Sequence, residues 1–168
     1  GHAVVAHFAA RSARLALLDR DGNALAALVI SVPGAAALPL ATDLLDPAAV
    51  AAAVEQAAKR FGGIAAAVHL AGGFTMGAAV HESAASTWQR MLDLNVNTML
   101  HSAAAVVPVM RRARRGAIVN VTSVVGRVAA LAQSPYVASK WALEGVSEGL
   151  AQELAPFLPQ PAEFRSVE

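Results

Sequence analysis

Residues 46–73 read DPAAVAAAVEQAAKRFGGIAAAVHLAGG. Asp46 is suited to cap a helix, and Pro47 falls at the first helical position, where its missing N–H costs nothing. The helical pattern runs to Arg60 and stops at Phe61-Gly62-Gly63, because glycine readily takes the left-handed turn at a helix end. Ile64 to Leu70 is then an apolar run of strand length, ending in Ala71-Gly72-Gly73. A strand that is apolar rather than alternating is buried on both faces, the habit of a parallel sheet covered by helices on both sides.

The same alternation extends outward. Toward the N-terminus, Ala3 to Ala13 reads as a helix with Val4, Val5, Phe8 and Ala9 at helical spacing. Leu15 to Leu18 reads as a strand running into the turn Asp19-Arg20-Asp21-Gly22. Asn23 to Ser31 reads as a short helix, and Ala36 to Thr42 as a strand interrupted by Pro39. Toward the C-terminus, Ser86 is the expected cap of a helix from Thr87 to Leu94, and a second helix is expected from Val96 to Arg112. Ala117 to Val121 is a strand rich in β-branched residues, and Pro135 to Leu154 is the last helix. No repeat or Gly/Ser linker divides the chain, so residues 1–168 read as one α/β domain.

Composition narrows the function classes. Only 15% of the 168 residues are charged and 56% are hydrophobic, which excludes disorder as the main state. With 13 Lys+Arg against 12 Asp+Glu, the formal charge of +1 gives no whole-chain drive toward nucleic acid or an anionic membrane. The absence of cysteine excludes disulfides, thiolate nucleophiles and zinc–cysteine sites. The start, Gly1 to Phe8, has no basic stretch before an apolar one and does not read as a signal peptide. The uncharged stretch Gly22 to Thr42 is broken by Pro33, Gly34 and Pro39, so it reads as two short elements rather than a membrane span. A cytoplasmic location is expected. His2, His7, His69, His81 and His101 show no metal spacing, so no metal is expected. Arg111, Arg112, Arg114 and Arg115 read as a solvated cluster after a helix, and Glu144 and Glu148 as an exposed pair.

The chemistry concentrates at Tyr136-Val137-Ala138-Ser139-Lys140, which contains the only tyrosine of the chain. Residues four apart share a helix face. A free phenol is a poor base at neutrality, and an ammonium held beside it favours the phenolate. Such a pair can exchange a proton with an alcohol or carbonyl oxygen. Ser123 lies 13 residues earlier, past the end of the 117–121 strand, where open α/β sheets face their ligands.

Ser123, Tyr136 and Lys140 together resemble the Ser, Tyr-x-x-x-Lys signature of the short-chain dehydrogenase/reductase family. Trp88 to Asn95 is similar to the segment whose Asn completes the family tetrad, which implies that role for Asn95. Ala71-Gly72 resembles the end of the family's Asn-Asn-Ala-Gly motif, with His69-Leu70 in place of the two asparagines. Asp43-Leu44 resembles the acidic position that bonds the adenine amino group, and Asp19 the acidic residue that accepts from the adenosine ribose. The resemblance implies a Rossmann-type doubly wound parallel sheet that moves hydride between a nicotinamide and a carbonyl or secondary alcohol. Its cofactor would be NAD in preference to NADP, since Asp19 repels a 2′-phosphate while Arg20 accommodates one. The cofactor-binding residues implied are Gly1, Asp19, Asp43, Leu44, Ala71, Gly72, Asn95, Tyr136 and Lys140. Asn95 would hold a water linking Lys140 to solvent. The implied partners are a small carbonyl or alcohol substrate and one or three further copies of the chain.

Gly1 falls where the last glycine of the family's phosphate loop is expected, and Phe157 to Glu168 departs from the family pattern. The sheet is therefore expected to be incomplete at both ends, with the 15–18 and 64–70 strands missing a neighbour. Those two strands would either close up and pair directly or leave an edge for another chain. A non-catalytic fragment or interaction module of the same fold is the alternative reading.

Overall fold

The computed structural model describes residues 1–157. Helix α1 (His2–Ala9) precedes β1 (Leu15–Asp19), α2 (Gly22–Ile30), β2 (Ala37–Ala41), α3 (Pro47–Phe61) and β3 (Ala66–His69). Then come α4 (Ala85–Leu92), α5 (Thr98–Ala113), β4 (Ala117–Asn120) and α6 (Ser134–Leu154). The segment expected to begin at Phe157 lies, beyond that residue, outside the described residues.

Local chemistry explains most of these boundaries. The Asp21 carboxylate accepts from the N–H groups of Asn23 and Ala24, both at 3.0 Å, and starts α2. Asp46 does the same for α3, accepting from Ala48 at 2.9 Å and Ala49 at 3.2 Å. Gly62 closes α3 with φ 76°. Three expectations are corrected. α1 ends at Ala9 rather than Ala13, because Ser12 turns left-handed (φ 57°) and the Ala13 N–H closes back onto the Phe8 carbonyl at 3.1 Å. Ser86 does not cap α4: the cap position is Ala84, without a side-chain bond, and Ser86 sits in the first turn. The two helices expected on either side of Asn95 are joined without a break by a π-helical turn, Asp93–Asn97, and Asn95 lies in its middle.

β1 pairs in parallel with β2, Leu15 opposite Ala37 through Asp19 opposite Ala41. β3 pairs in parallel with β4, Ala66 opposite Ala117 through His69 opposite Asn120. Among the described residues the sheet is thus in two halves, and β1 and β3 do not close up onto each other. Pro39 is tolerated because β2 has β1 as its one neighbour among the described residues, so the missing N–H falls on an edge. Helix α3 spans the halves. Its Val50 and Val54 pack with Val106, Met110, Ile118 and Leu154, while its Ala53 and Ala57 pack with Leu40 of β2. A third apolar cluster, Val5, Leu17, Leu25 and Val32, sits under α1 and α2. No helix among the described residues is long and apolar enough to cross a membrane.

Among the described residues, strands β1 and β3 each have a partner on one side only. Each unpaired backbone group that is shielded from water costs about 1–3 kcal/mol, and a whole domain has only about 5–15 kcal/mol to lose. The 168-residue polypeptide alone is therefore expected to melt broadly or aggregate on heating, as followed by circular dichroism. A sharp transition within the roughly 45–65 °C usual for domains overturns this.

Candidate active site

Asn95 is the hub. Its side chain is 1% exposed, and the π-turn aims it at the segment after β3. Its Oδ1 accepts from the Gly73 N–H at 2.8 Å. Its Nδ2 donates to the Gly73 carbonyl at 3.0 Å and to Ser139 Oγ at 2.8 Å. Ser139 Oγ in turn donates to the Tyr136 carbonyl at 2.7 Å. One amide thus fixes the β3 exit against the first turns of α6, where Tyr136 and Lys140 lie. Both amide protons are committed, so the side chain positions Gly73 and Ser139, and a water could meet only the second lone pair of Oδ1.

The glycines after β3 are needed for close approach, not for unusual dihedrals. A Cβ on Gly72 would lie 2.7 Å from Asn95 Oδ1 and 3.8 Å from Lys140 Nζ. On Gly73 it would lie 2.6 Å from Leu94 Cδ1.

Lys140 is buried, its Nζ donating to the Val121 carbonyl at 3.2 Å and lying 5.8 Å from the centre of the Tyr136 ring. Burial pushes its pKa below the usual lysine value of 10.5. Tyr136 meets the edge of Phe74 with ring centres 5.0 Å apart. Ser123 starts the 3-10 turn Val124–Gly126, its Oγ accepting from the Val125 N–H at 3.4 Å. That turn docks on α6: a Cβ on Gly126 would lie 3.3 Å from the Lys140 carbonyl and 3.1 Å from Glu144 Cγ. Glu144 corrects an expectation, since its Oε1 is buried without a hydrogen-bond partner; Glu148 is exposed.

The remaining cofactor candidates follow the ends of β1 and β2. Asp19 ends β1 with its carboxylate exposed, accepting from the Asp21 N–H at 3.0 Å. Its carbonyl accepts from the Thr42 N–H at 2.8 Å. Asp43 is exposed and accepts from the Leu45 N–H at 2.9 Å, and Leu44 accepts at its carbonyl from His101 Nδ1 at 2.9 Å. Gly1 stands at the head of α1, and Ala71 is exposed beside Gly72. No hydrogen bond among the described residues joins Asp19, Asp43 or Gly1 to the Asn95 network. A cleft of about 300 Å³ lies between Arg20, Leu45, the α4 residues Ser86, Gln89 and Arg90, and Asp93 and Leu94 of the π-turn; Tyr136 does not line it.

These residues suit a dinucleotide. Lys140 is a buried ammonium with one of its three donors used. Gly72 brings backbone close to it, and Asp19 offers a carboxylate at a strand end.

A second network was not read from the sequence. His69 Nδ1 lies 2.6 Å from Asn120 Oδ1, Asn120 Nδ2 donates to Ser147 Oγ at 2.7 Å, and Ser147 Oγ donates to the Leu143 carbonyl at 2.6 Å. Because each later bond is donated away from His69, its Nδ1 carries the proton. Asn120 inside an apolar strand was the available signal for this network; Ser139 inside the Tyr–Lys motif was the signal for the first.

Parallel strands whose carboxyl ends carry the candidate groups, flanked by helices, make this a Rossmann-type α/β protein. The profile of the short chain dehydrogenase family matches residues 1–157. A 3-alpha-(or 20-beta)-hydroxysteroid dehydrogenase of Mycobacterium tuberculosis is 36% identical over 140 residues, 83% of this chain and 52% of that protein. A 2-dehydro-3-deoxy-L-rhamnonate dehydrogenase (NAD(+)) of Sphingomonas is 35% identical over 92% of this chain and 61% of its own length. An inactive 2-(S)-hydroxypropyl-CoM dehydrogenase 2 of Xanthobacter autotrophicus is 39% identical over 84% of this chain and 60% of its own. The crystal structure of a short-chain dehydrogenase/reductase from Burkholderia xenovorans superposes with TM-score 0.88 at 29% identity, covering 94% of this chain and 63% of the other. A metagenomic short-chain oxidoreductase in complex with NADP gives 0.87 at 28% identity, with coverage of 94% and 72%. The chain belongs to the short-chain dehydrogenase/reductase family. It spans about half the length of the first of these curated relatives, at 52%.

Burial, opposed by the Asn120 bond, holds the His69 pKa below its ordinary 6.5. The folded protein keeps His69 neutral while the unfolded chain protonates near 6.5, so its contribution is full above that pH and is lost as pH falls below it. His69→Asn is expected to shrink the drop in Tm between about pH 7.5 and about pH 5.5. An undiminished drop places the acid-labile group elsewhere.

Proposed function

We propose that the chain carries the proton-transfer site of a nicotinamide-dependent oxidoreductase acting on carbonyls or secondary alcohols. The observation that carries this reading is the Asn95 network, which fixes the only tyrosine and a buried ammonium at the start of one helix. The dehydrogenase names of the hydroxysteroid and rhamnonate relatives support it.

When bound, the nicotinamide supplies or accepts the hydride. In reduction the Tyr136 phenol gives its proton to the carbonyl oxygen; in oxidation it takes the alcohol proton. Ser123 Oγ is used here only as an acceptor, so its O–H is available to donate to the same oxygen. The unused donors of Lys140 meet a ribose hydroxyl and favour negative charge on the phenol oxygen. Asn95 keeps these groups in register as a positioning residue. Asp19 accepts from the adenosine ribose hydroxyls and repels a 2′-phosphate, favouring NAD; Arg20 beside it works the other way. Asp43 and Leu44 meet the adenine, and Gly1 and the head of α1 the phosphates. Assembly into dimers or tetramers through α5 and α6, in the cytoplasm, completes the reading.

The divided sheet and the inactive relative favour a second reading, a non-catalytic member of the fold. NADH binding without turnover on any alcohol or ketone selects it.

In protein with measurable turnover, Tyr136→Phe is expected to lower kcat by at least about 100-fold and to leave NADH binding nearly unchanged. Turnover like wild type rejects the role. Asp19→Ala is expected to weaken NADH binding and narrow the gap to NADPH, as read by fluorescence titration. An unchanged ratio removes Asp19 from the ribose.

A further inference from the structure

The loops that flank Tyr136 carry large apolar side chains facing water. Phe74, Met76 and Val80 follow β3; Val124, Val128 and Leu131 follow β4; all six are between 52% and 94% exposed. Scattered exposed apolar residues are ordinary, but a concentrated patch marks a binding surface.

Three features make this patch part of the site. The two loops are joined, the Gly77 N–H donating to the Ala132 carbonyl at 2.8 Å. At that junction both residues have left-handed backbone, Gly77 at φ 130° and Ala132 at φ 56°, a conformation alanine adopts only at some cost. The patch also touches the phenol directly through Phe74, 5.0 Å from Tyr136 between ring centres. Finally, residues 70–80 and 121–133 contain a single charged residue, Arg127. A sugar or a carboxylate needs several polar or cationic partners; besides Ser123 and the phenol these loops carry Arg127 and the half-buried Thr75, Thr122 and Gln133, against six exposed large apolar side chains.

We infer that the substrate of this site is an uncharged, multi-ring or similarly bulky apolar alcohol or ketone, held by the loops after β3 and β4 with its one oxygen toward Tyr136 and Ser123. This rests on the proton-transfer reading above and adds the substrate class to it.

Ligand-observed NMR on the purified chain tests it with cyclohexanol, decahydro-2-naphthol, glucitol and gluconate, without cofactor. Each further buried CH₂ is worth about four-fold in affinity, so the two-ring alcohol is expected to bind at least about 10-fold tighter than the one-ring alcohol. Glucitol and gluconate are expected to bind most weakly. Leu131→Ser and Met76→Ser are expected to weaken decahydro-2-naphthol binding several-fold with an unchanged melting curve, since both side chains are exposed. Equal affinity along the series, or preference for glucitol or gluconate, overturns the inference. So does concentration-dependent self-association that abolishes binding, because the patch then serves a second copy of the chain. Turnover separates the two readings: two-ring binding with no oxidation by NAD or NADP leaves the apolar site standing and removes the oxidoreductase reading. Oxidation that runs best on polar alcohols does the reverse.

Discussion

The side-chain amide of Asn95 is the contact on which the site depends. It binds both polar groups of the Gly73 peptide and the hydroxyl of Ser139, so the β3 exit, the π-turn and α6 share one buried group. A buried amide must find partners for all its polar atoms, and leaving one without a partner costs about 1–3 kcal/mol. That requirement fixes the register of α6, and with it the height of Tyr136 and Lys140 above the β4 end. The π-turn follows from the same need. An extra residue in the turn rotates Asn95 toward Gly73, and such turns collect at functional sites. Gly72 must lack a Cβ because Asn95 Oδ1 occupies its place.

Lys140 illustrates what this arrangement costs. An ammonium held below its ordinary pKa by burial destabilises the folded state at neutral pH, and that penalty lifts only as pH rises toward 10.5. A methionine would fill the space without the penalty. The charge is retained beside a phenol, the pairing on which the proposed proton transfer rests. His69 is the opposite case, a neutral imidazole held in one tautomer by a chain of bonds ending on α6, and it ties β3 to β4 and to that helix.

Between the two strand pairs, α3 supplies continuity. Its one apolar stripe carries two rows, Val50 with Val54 and Ala53 with Ala57, and each row serves a different cluster. The alanines allow the helix to lie close to β2, and the high alanine content of the chain finds its structural use there.

Much of this was legible in the sequence because it is local. Asp46, Pro47 and Gly62 act within one turn of a helix end, and Tyr136 and Lys140 share a face because a helix turns every 3.6 residues. The α/β order followed from short apolar runs between longer helical ones. Ser123 followed from its place past a strand end, and family resemblance added Asn95, whose partners no local rule identifies. What only the tertiary structure decided lies across long separations: Asn95 with Gly73 at 22 residues, His69 with Asn120 at 51, and Leu44 with His101 at 57. Ser86 had the right chemistry for a cap but fell two positions late, and Glu144 had the pattern of a solvated residue until Gly126 packed over it. Sequence spacing fixes which side chains leave a helix or strand together. Which of them meet is set by the packing of whole elements, where a buried polar atom must find its partner wherever the chain brings one.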